Sequence, residues 1–238
     1  MRPIPRLQDT PSDPFRPVRR LDLVACSGLS ETALRSSFSE IEALYRSVDG
    51  VLSAVSKGLD LPCHRGCSAC CRQSVFLTPI EFLYGWHWAQ THLEEEALEE
   101  IVAQGIALYH EHKALIDSLE EASHQKRDAF EIARSLRFDC PYLGGDGACR
   151  IYPARELLGR LFGCSFLSEG ALYACSLVEA HLQGRSLPFP RAPQMAQMLR
   201  TLPLSSRRQV YPYYLFHLHR EGASLDTLPW LVEETVEG

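Results

Sequence analysis

No stretch of this chain strings together the roughly 18 apolar residues that a membrane-crossing helix needs, so no transmembrane segment is expected. Positive charge is not in excess either. The 24 Lys and Arg face 30 Asp and Glu, giving a formal net charge of −6 and a pI near 5.9. Nucleic-acid binding draws on a basic face that displaces counterions, so no nucleic-acid partner is expected. The first 23 residues carry several prolines and arginines but lack the apolar core of a secretory leader. Familiar catalytic signatures are missing as well. There is no dinucleotide-binding glycine motif and no nucleophile elbow. The glycine run Gly144-Gly145-Asp146-Gly147 is followed by no Lys-Ser or Lys-Thr pair, so it is not a phosphate loop. His87 and His92 stand five apart, which does not place them on one helix face as an i, i+4 metal pair.

Cysteine, by contrast, is abundant. The chain has nine, and four of them crowd into Cys63-His64-Arg65-Gly66-Cys67-Ser68-Ala69-Cys70-Cys71. Cys140, Cys149, Cys164 and Cys175 follow. Packing does not call for this, because Val or Ala fills a core without reactive sulfur. With no leader the expected compartment is the cytoplasm, where thiols stay reduced and cysteine clusters serve metals more often than disulfides. An odd count also fits no fully paired oxidised framework.

At 238 residues, 45% hydrophobic and 23% charged, the chain has the makeup of an ordinary globular protein of one or two domains. The prolines of residues 1–22 read as a flexible N-terminal arm. Cys26 stands alone and reads as a small, partly buried hydrophobe. Residues 30–57 carry a helical stripe, Leu34, Phe38, Ile41, Tyr45, Val48, Leu52 and Val55, with Ser30 as N-cap and Gly58 as stop. Gly66 is expected to give the knuckle a tight turn whose backbone can approach a metal. Thr78-Pro79-Ile80-Glu81 spells a capping box that starts a helix running to about residue 91. Further helices are expected over 93–119 and 125–136. Residues 138–149 and 164–175 read as short hairpins, the second turning at Ser168-Glu169-Gly170, and Pro153 is expected to start a helix through 161 with Tyr152 in the core. Three prolines in 187–193 mark a linker to C-terminal helices. The expected division is thus 1–22, a cysteine-cluster domain over 23–186, and 187–238. The expected fold is mostly α with a small, irregular, β-hairpin cysteine-rich metal-binding region.

The candidate metal ligands are Cys63, Cys67, Cys70, Cys71, Cys140, Cys149, Cys164 and Cys175. Cys67 and Cys70 can reach one ion around a single turn, with Cys63 close by. Adjacent side chains such as Cys70 and Cys71 usually diverge, so two metals, or one cluster plus extra thiols, fit the count better than one zinc. All-thiolate ligation permits zinc or iron–sulfur. The single close pair and the Cys140-Pro141 step favour iron–sulfur, with zinc kept as the alternative. The Cys63-x-x-x-Cys67-x-x-Cys70 spacing coincides with that of radical S-adenosylmethionine enzymes. Ala69 stands where those have an aromatic residue, and no strand–helix repeat announces their barrel. Arg150, Arg155 and Arg160 flank the second cysteine group and can offset thiolate charge.

The knuckle, the Cys140-Pro141-Tyr142-Leu143 step, the glycine turn, Cys149-Arg150-Ile151-Tyr152 and Arg155 together resemble the YkgJ-type CxxxCxxCC cysteine-cluster family, a zinc- or iron-chelating domain family that includes flagellin lysine N-methylases. The resemblance covers residues 60–175 and matches Cys63, Cys67, Cys70, Cys71, Cys140 and Cys149. It breaks at one place: the family continues Arg-Pro-x-x-Cys-Arg, whereas this chain reads Arg155-Glu156-Leu157-Leu158-Gly159-Arg160. Either one ligand is lost at Gly159, or Cys164 takes its place. The resemblance implies a metal-binding protein with a redox or metal-handling role. The alternatives are an N-methylase-like enzyme acting on a protein with S-adenosylmethionine, and a purely structural zinc domain. A protein partner or substrate, and the oligomeric state, are left open.

Overall fold

The computed structural model describes residues 20–124, 136–220, 223–225 and 228. The expected N-terminal arm, the helical piece at 125–136 and the end of the chain therefore lie largely outside the described residues. The rest is mostly helical, and the one sheet among the described residues has two strands.

Helix α1 (Leu23–Ser27) is capped by Asp22, whose carboxylate accepts from the Val24 and Ala25 N–H groups. Helix α2 (Glu31–Ser56) starts at Ser30, whose hydroxyl accepts from the Ala33 N–H at 3.2 Å. Its buried face is Leu34, Ser37, Ile41, Tyr45, Val48 and Leu52; Phe38 and Val55 of the expected stripe lie half-buried at the margins. Ser37 sits on the core side because its hydroxyl donates to the Ala33 carbonyl at 2.8 Å.

Helix α3 (Pro79–His92) runs through the centre. Ile80, Phe82, Leu83, Trp86 and Ala89 are wholly buried, so the helix is apolar on nearly every side, as a core helix must be. The capping box forms: Glu81 N–H donates to the Thr78 hydroxyl, and the Glu81 carboxylate accepts from the Thr78 N–H at 2.8 Å. That carboxylate is buried and also accepts from Tyr45 Oη (3.1 Å), the Leu157 N–H (2.8 Å) and Arg208 Nη1 (3.4 Å). One cap residue thereby ties α2, α3 and two later segments together.

Helix α4 (Glu95–His124) extends beyond the expected 93–119 and breaks at His112, where φ is −109° and ψ 16°. Beyond the cysteine region come four short helices, α5 (Leu157–Leu161), α6 (Ser176–Leu182), α7 (Ala192–Ala196) and α8 (Tyr211–Leu215). Helix α8 continues into a wider π turn, Phe216–Arg220. It lies so close to α4 that a Cβ at Gly105 would fall 2.3 Å from Leu215 Cδ1. Strands β1 (Phe76–Leu77) and β2 (Gln209–Val210) pair antiparallel, Phe76 opposite Val210, which binds the segment after the knuckle to the one leading into α8.

Three expectations are corrected here. The helix from Pro153 to 161 is split: a 3₁₀ turn at Tyr152–Ala154 is followed by extended Arg155 and Glu156 before α5 begins. Tyr152 is 62% exposed rather than core, its ring lying 4.9 Å from the Arg155 guanidinium carbon. The proline-rich stretch 187–193 is no free linker. Phe166 N–H donates to the Pro190 carbonyl (2.9 Å), Ala192 N–H donates to the Phe166 carbonyl (2.8 Å), and Phe189 is buried. The segments after it share the main apolar core through Leu199, Leu202, Val210, Tyr213 and Tyr214.

Candidate metal centre

The knuckle is two consecutive tight turns. Cys67 N–H donates to the His64 carbonyl and Cys71 N–H to the Ser68 carbonyl, each at 3.0 Å. The second turn passes into a 3₁₀ turn, Cys70–Arg72. This curvature brings the adjacent sulfurs of Cys70 and Cys71 together at 3.9 Å, so the expected divergence of neighbouring side chains does not occur. Two thiolates at about 2.3 Å from one tetrahedral zinc stand about 3.8 Å apart, so this pair already has ligand spacing.

Cys140 joins through the backbone: its N–H donates to the Cys71 carbonyl at 2.7 Å. Cys149 returns across a tight reversal in which Leu143 faces Cys149, Gly144 N–H donates to the Ala148 carbonyl and Arg150 N–H donates to the Tyr142 carbonyl, both at 2.8 Å. The expected hairpin is present as this single bridge without extended strands. Its turn packs onto the knuckle. A Cβ at Gly147, which has φ 77°, would fall 2.8 Å from the Gly66 carbonyl oxygen, and Gly66 itself has φ 87°. The Gly66 backbone thus meets the Asp146–Gly147 backbone, and Arg65 pairs with Asp146 at 3.6 Å.

The second reversal, 164–175, forms around the bridge between Phe166 and Leu172, with Gly170 at φ 89° in its turn. Gly163 N–H donates to the Tyr173 carbonyl at 2.7 Å, and Cys175 leads into α6. Cys63 reaches across to this region: its sulfur lies 4.0 Å from the position of a Cβ on Gly163, beside Cys164.

Eight of the nine cysteines line two adjoining cavities. The inner cavity, about 20 Å³, is lined by Cys70, Cys71, Cys140 and Cys149 with Tyr142, Arg155, Glu156, Gly159 and Tyr211. The outer one, about 850 Å³, is lined by Cys63, Cys67, Cys164 and Cys175, and again by Cys70, Cys71 and Cys149. Cys26 lines neither and packs against the main core from α1. Among the described residues, no three His, Cys, Asp or Glu side chains close a coordination shell around one point.

The electrostatics follow the same division. The Cys70 thiol is pulled down to about 6, first by its hydrogen bond with Cys71 and then by Arg155. The Cys71 thiol is correspondingly raised, by that bond, by burial, and by the nearby Cys70, Cys140 and Cys149. Burial and Cys149 hold Cys140 well above the usual thiol range. Burial and Glu156 push Cys149 up to about 11. In the outer group Cys63 is raised by burial, then by Cys67 and Cys175, and Cys164 is pushed to about 11 by burial and Cys63. Arg155 is the cation common to both groups, since it favours the thiolates of Cys63, Cys70, Cys149 and Cys164. Arg150 and Arg160 do other work. Arg150 pairs with Glu100 at 2.7 Å. Arg160 is buried over the Tyr45 ring, donating to Asp49 and to the Pro153 carbonyl at 2.6 Å.

Two inner-cavity atoms, Tyr142 Oη and Arg155 Nε, are buried with no hydrogen-bond partner. An orphaned hydroxyl and guanidinium nitrogen beside four thiols suit an acceptor-rich occupant such as a thiolate-bound metal. The donor set and these orphans fit a soft metal ion.

The structure also shows what surrounds Gly159. A Cβ at Gly159 would fall 2.0 Å from Glu156 Oε1. The Glu156 carboxylate, buried and accepting from Tyr211 Oη at 2.5 Å, occupies the space a side chain at 159 would need. Gly159 lines the inner cavity, and Cys164 lines the outer one. Burial raises the Glu156 carboxyl above its ordinary value. Sequence reasoning assigned no role to Glu156, Tyr142 or Tyr211. The paired departures at 156 and 159 were the signal that could have found the first.

The lone histidines take bland places. His64 is exposed on the knuckle loop, its Nδ1 2.8 Å from the Arg65 carbonyl oxygen, and His110 is exposed on α4. His87 stacks on Phe38 and His92 on Trp88. No helix among the described residues is long and apolar enough to cross a membrane. No family model, curated protein or solved structure matches this chain.

Proposed function

We propose that this chain is a metal-binding cysteine-cluster protein of the YkgJ type, whose thiolates hold an iron–sulfur centre or zinc in a redox or metal-handling role. The observation that carries the reading is the sorting of the thiols. Eight cysteines from three separate stretches of chain line two contiguous cavities, and the one cysteine outside every motif, Cys26, does not. One buried and three half-buried thiols around a small cavity with orphaned donors are a costly arrangement for a core and a ready one for a soft cation.

A bound metal draws its ligands as thiolates, so binding releases protons and strengthens with pH. Arg155 offsets part of the resulting negative charge. The structural-zinc reading has one observation in its favour, the 3.9 Å Cys70–Cys71 spacing beside a cavity of ionic size.

Anaerobically purified protein, assayed for metal and acid-labile sulfide and scanned for visible absorption, tests the proposal. Thiolate-bound iron or zinc in stoichiometric amount is expected. Cys26→Ser should leave that content unchanged. Metal-free protein with freely titrating thiols would overturn the reading.

A further inference from the structure

The two cavities differ in size and in the residues that line each alone. An iron–sulfur core contains several heavy atoms, whereas a cavity of about 20 Å³ admits about one water-sized body. The inner thiols are also held rigidly. Cys70 and Cys71 share one 3₁₀ turn, Cys140 is bonded to the Cys71 carbonyl, and Cys149 is fixed by the reversal after Tyr142. Tyr211, Tyr142 and Ile151, all buried, wall the space from the core side. The outer cavity has room for a cluster and opens to solvent past exposed residues, namely Cys63, His64, Arg65 and Tyr152. Cys63, Cys67, Cys164 and Cys175 line the outer cavity alone, whereas Cys70, Cys71 and Cys149 line both.

We propose that these are two metal sites of different kind. In the inner site Cys70, Cys71, Cys140 and Cys149 hold a single zinc-like divalent ion. In the outer site Cys63, Cys67, Cys164 and Cys175 hold an iron–sulfur cluster within reach of solvent and of a redox partner. The inference rests on the metal-binding reading and adds to it the number, kind and address of the centres. Four thiolate donors would leave a tetrahedral ion no open position, which suits a structural role. The outer cluster sits beside the Arg155 guanidinium and the open cleft, where oxidants and electron-transfer proteins have access.

The experiment uses the full chain, purified anaerobically and then exposed to air. Iron, sulfide and zinc are measured before and after. About one equivalent of zinc should survive while iron, sulfide and the visible absorption disappear. In the Cys164→Ser/Cys175→Ser variant iron should fall at least tenfold with zinc unchanged. Because Cys140→Ser/Cys149→Ser would remove two donors from the folded core, the air-bleaching arm on unaltered protein carries the inner assignment. A single centre whose metal is lost equally in the outer-pair variant and on bleaching would overturn the two-site proposal and leave metal binding standing. Zinc at both sites without sulfide would overturn the outer assignment. Absence of any bound metal would overturn both this proposal and the reading beneath it.

Discussion

The helical side of the molecule and its cysteine side hold together by different means. Around α3 the core is continuous: Ile80, Phe82, Leu83 and Trp86 are wholly buried, and Phe82 stacks on Tyr214 at 4.8 Å. The outer cysteine region has only a satellite apolar cluster, Val178, Leu182 and Phe189, with partly buried residues around it. Burial at about 25 cal/mol per Å² sustains the first region and supplies little to the second. The loops of the second keep their shape through backbone hydrogen bonds and the glycine contact between Gly66 and Gly147. If the proposed metal-binding reading holds, a region rich in sulfur and poor in apolar area relies on what its sulfurs bind.

Removing metal is the sharpest way to test that contrast. Thiolate coordination of a structural zinc is worth about 10 kcal/mol of folding free energy. Chelation should therefore abolish hydrogen-exchange protection over residues 63–72, 140–150 and 163–175 while α3 and the first half of α4 stay protected. Equal loss of protection on both sides would erase the distinction.

The helical side has its own weak point in Glu81. Glu81→Ala removes the acceptor shared by Tyr45, Thr78, Leu157 and Arg208 and leaves the Arg208 cation without its carboxylate. A loss of about 3–5 kcal/mol is expected, as for a broken buried pair, read from denaturant unfolding. Metal content per folded molecule should not change.

A smaller effect is expected where the two sides meet. Gly159→Cys drives a Cβ into the Glu156 carboxylate and should cost about 1–3 kcal/mol by overpacking. Adding Glu156→Pro should restore stability. Residue 156 has φ −58° and residue 155 has ψ 138°, both compatible with proline, and the new thiol then faces the inner cavity. Failure of the double variant to recover would show that Glu156 has a role besides filling space.

The mildest test is acid. Burial pushes His219, which packs edge-on against Trp86, down to about 3. The unfolded chain takes up a proton near the ordinary 6.5 and the folded chain does not. Stability from this residue is therefore present above pH 6.5 and drains as pH falls toward 3, by at most about 1.4 kcal/mol per pH unit. Melting of metal-free protein against pH should show the slope, and His219→Phe should flatten it. An unchanged slope in the variant would assign the acid sensitivity elsewhere.

The helices were legible where a local rule governs them. The stripe from Leu34 to Leu52 and the Thr78–Glu81 box depend on residues three and four apart, and both form as read. Ser37 escaped the stripe because its back-bond to Ala33 hides a polar residue on an apolar face. The split at Arg155 and Glu156 escaped because Pro153 is equally at home at the start of a 3₁₀ turn and of an α-helix. What breaks the helix there is the pull of those side chains toward the thiols and Tyr211. The convergence of cysteines around shared cavities was legible from their number and motif. Their sorting into inner and outer groups was not, since spacing along the chain does not say which wall a sulfur faces. Nor did it disclose that Glu81 serves four partners, three of them tens of residues distant.

Tyr211 walls the inner cavity, and β2 beside it pairs with β1 just beyond the knuckle. Roughly 140 residues separate it from Cys70, so at ordinary synthesis rates roughly 7–30 s pass between the two leaving the ribosome. Throughout that interval the Cys70–Cys71 pair is translated but unwalled, open to oxidants and to any stray soft cation. On the proposed reading, metal loading belongs after translation of the wall, and a cell starved of reductant should damage nascent chains before it harms finished ones.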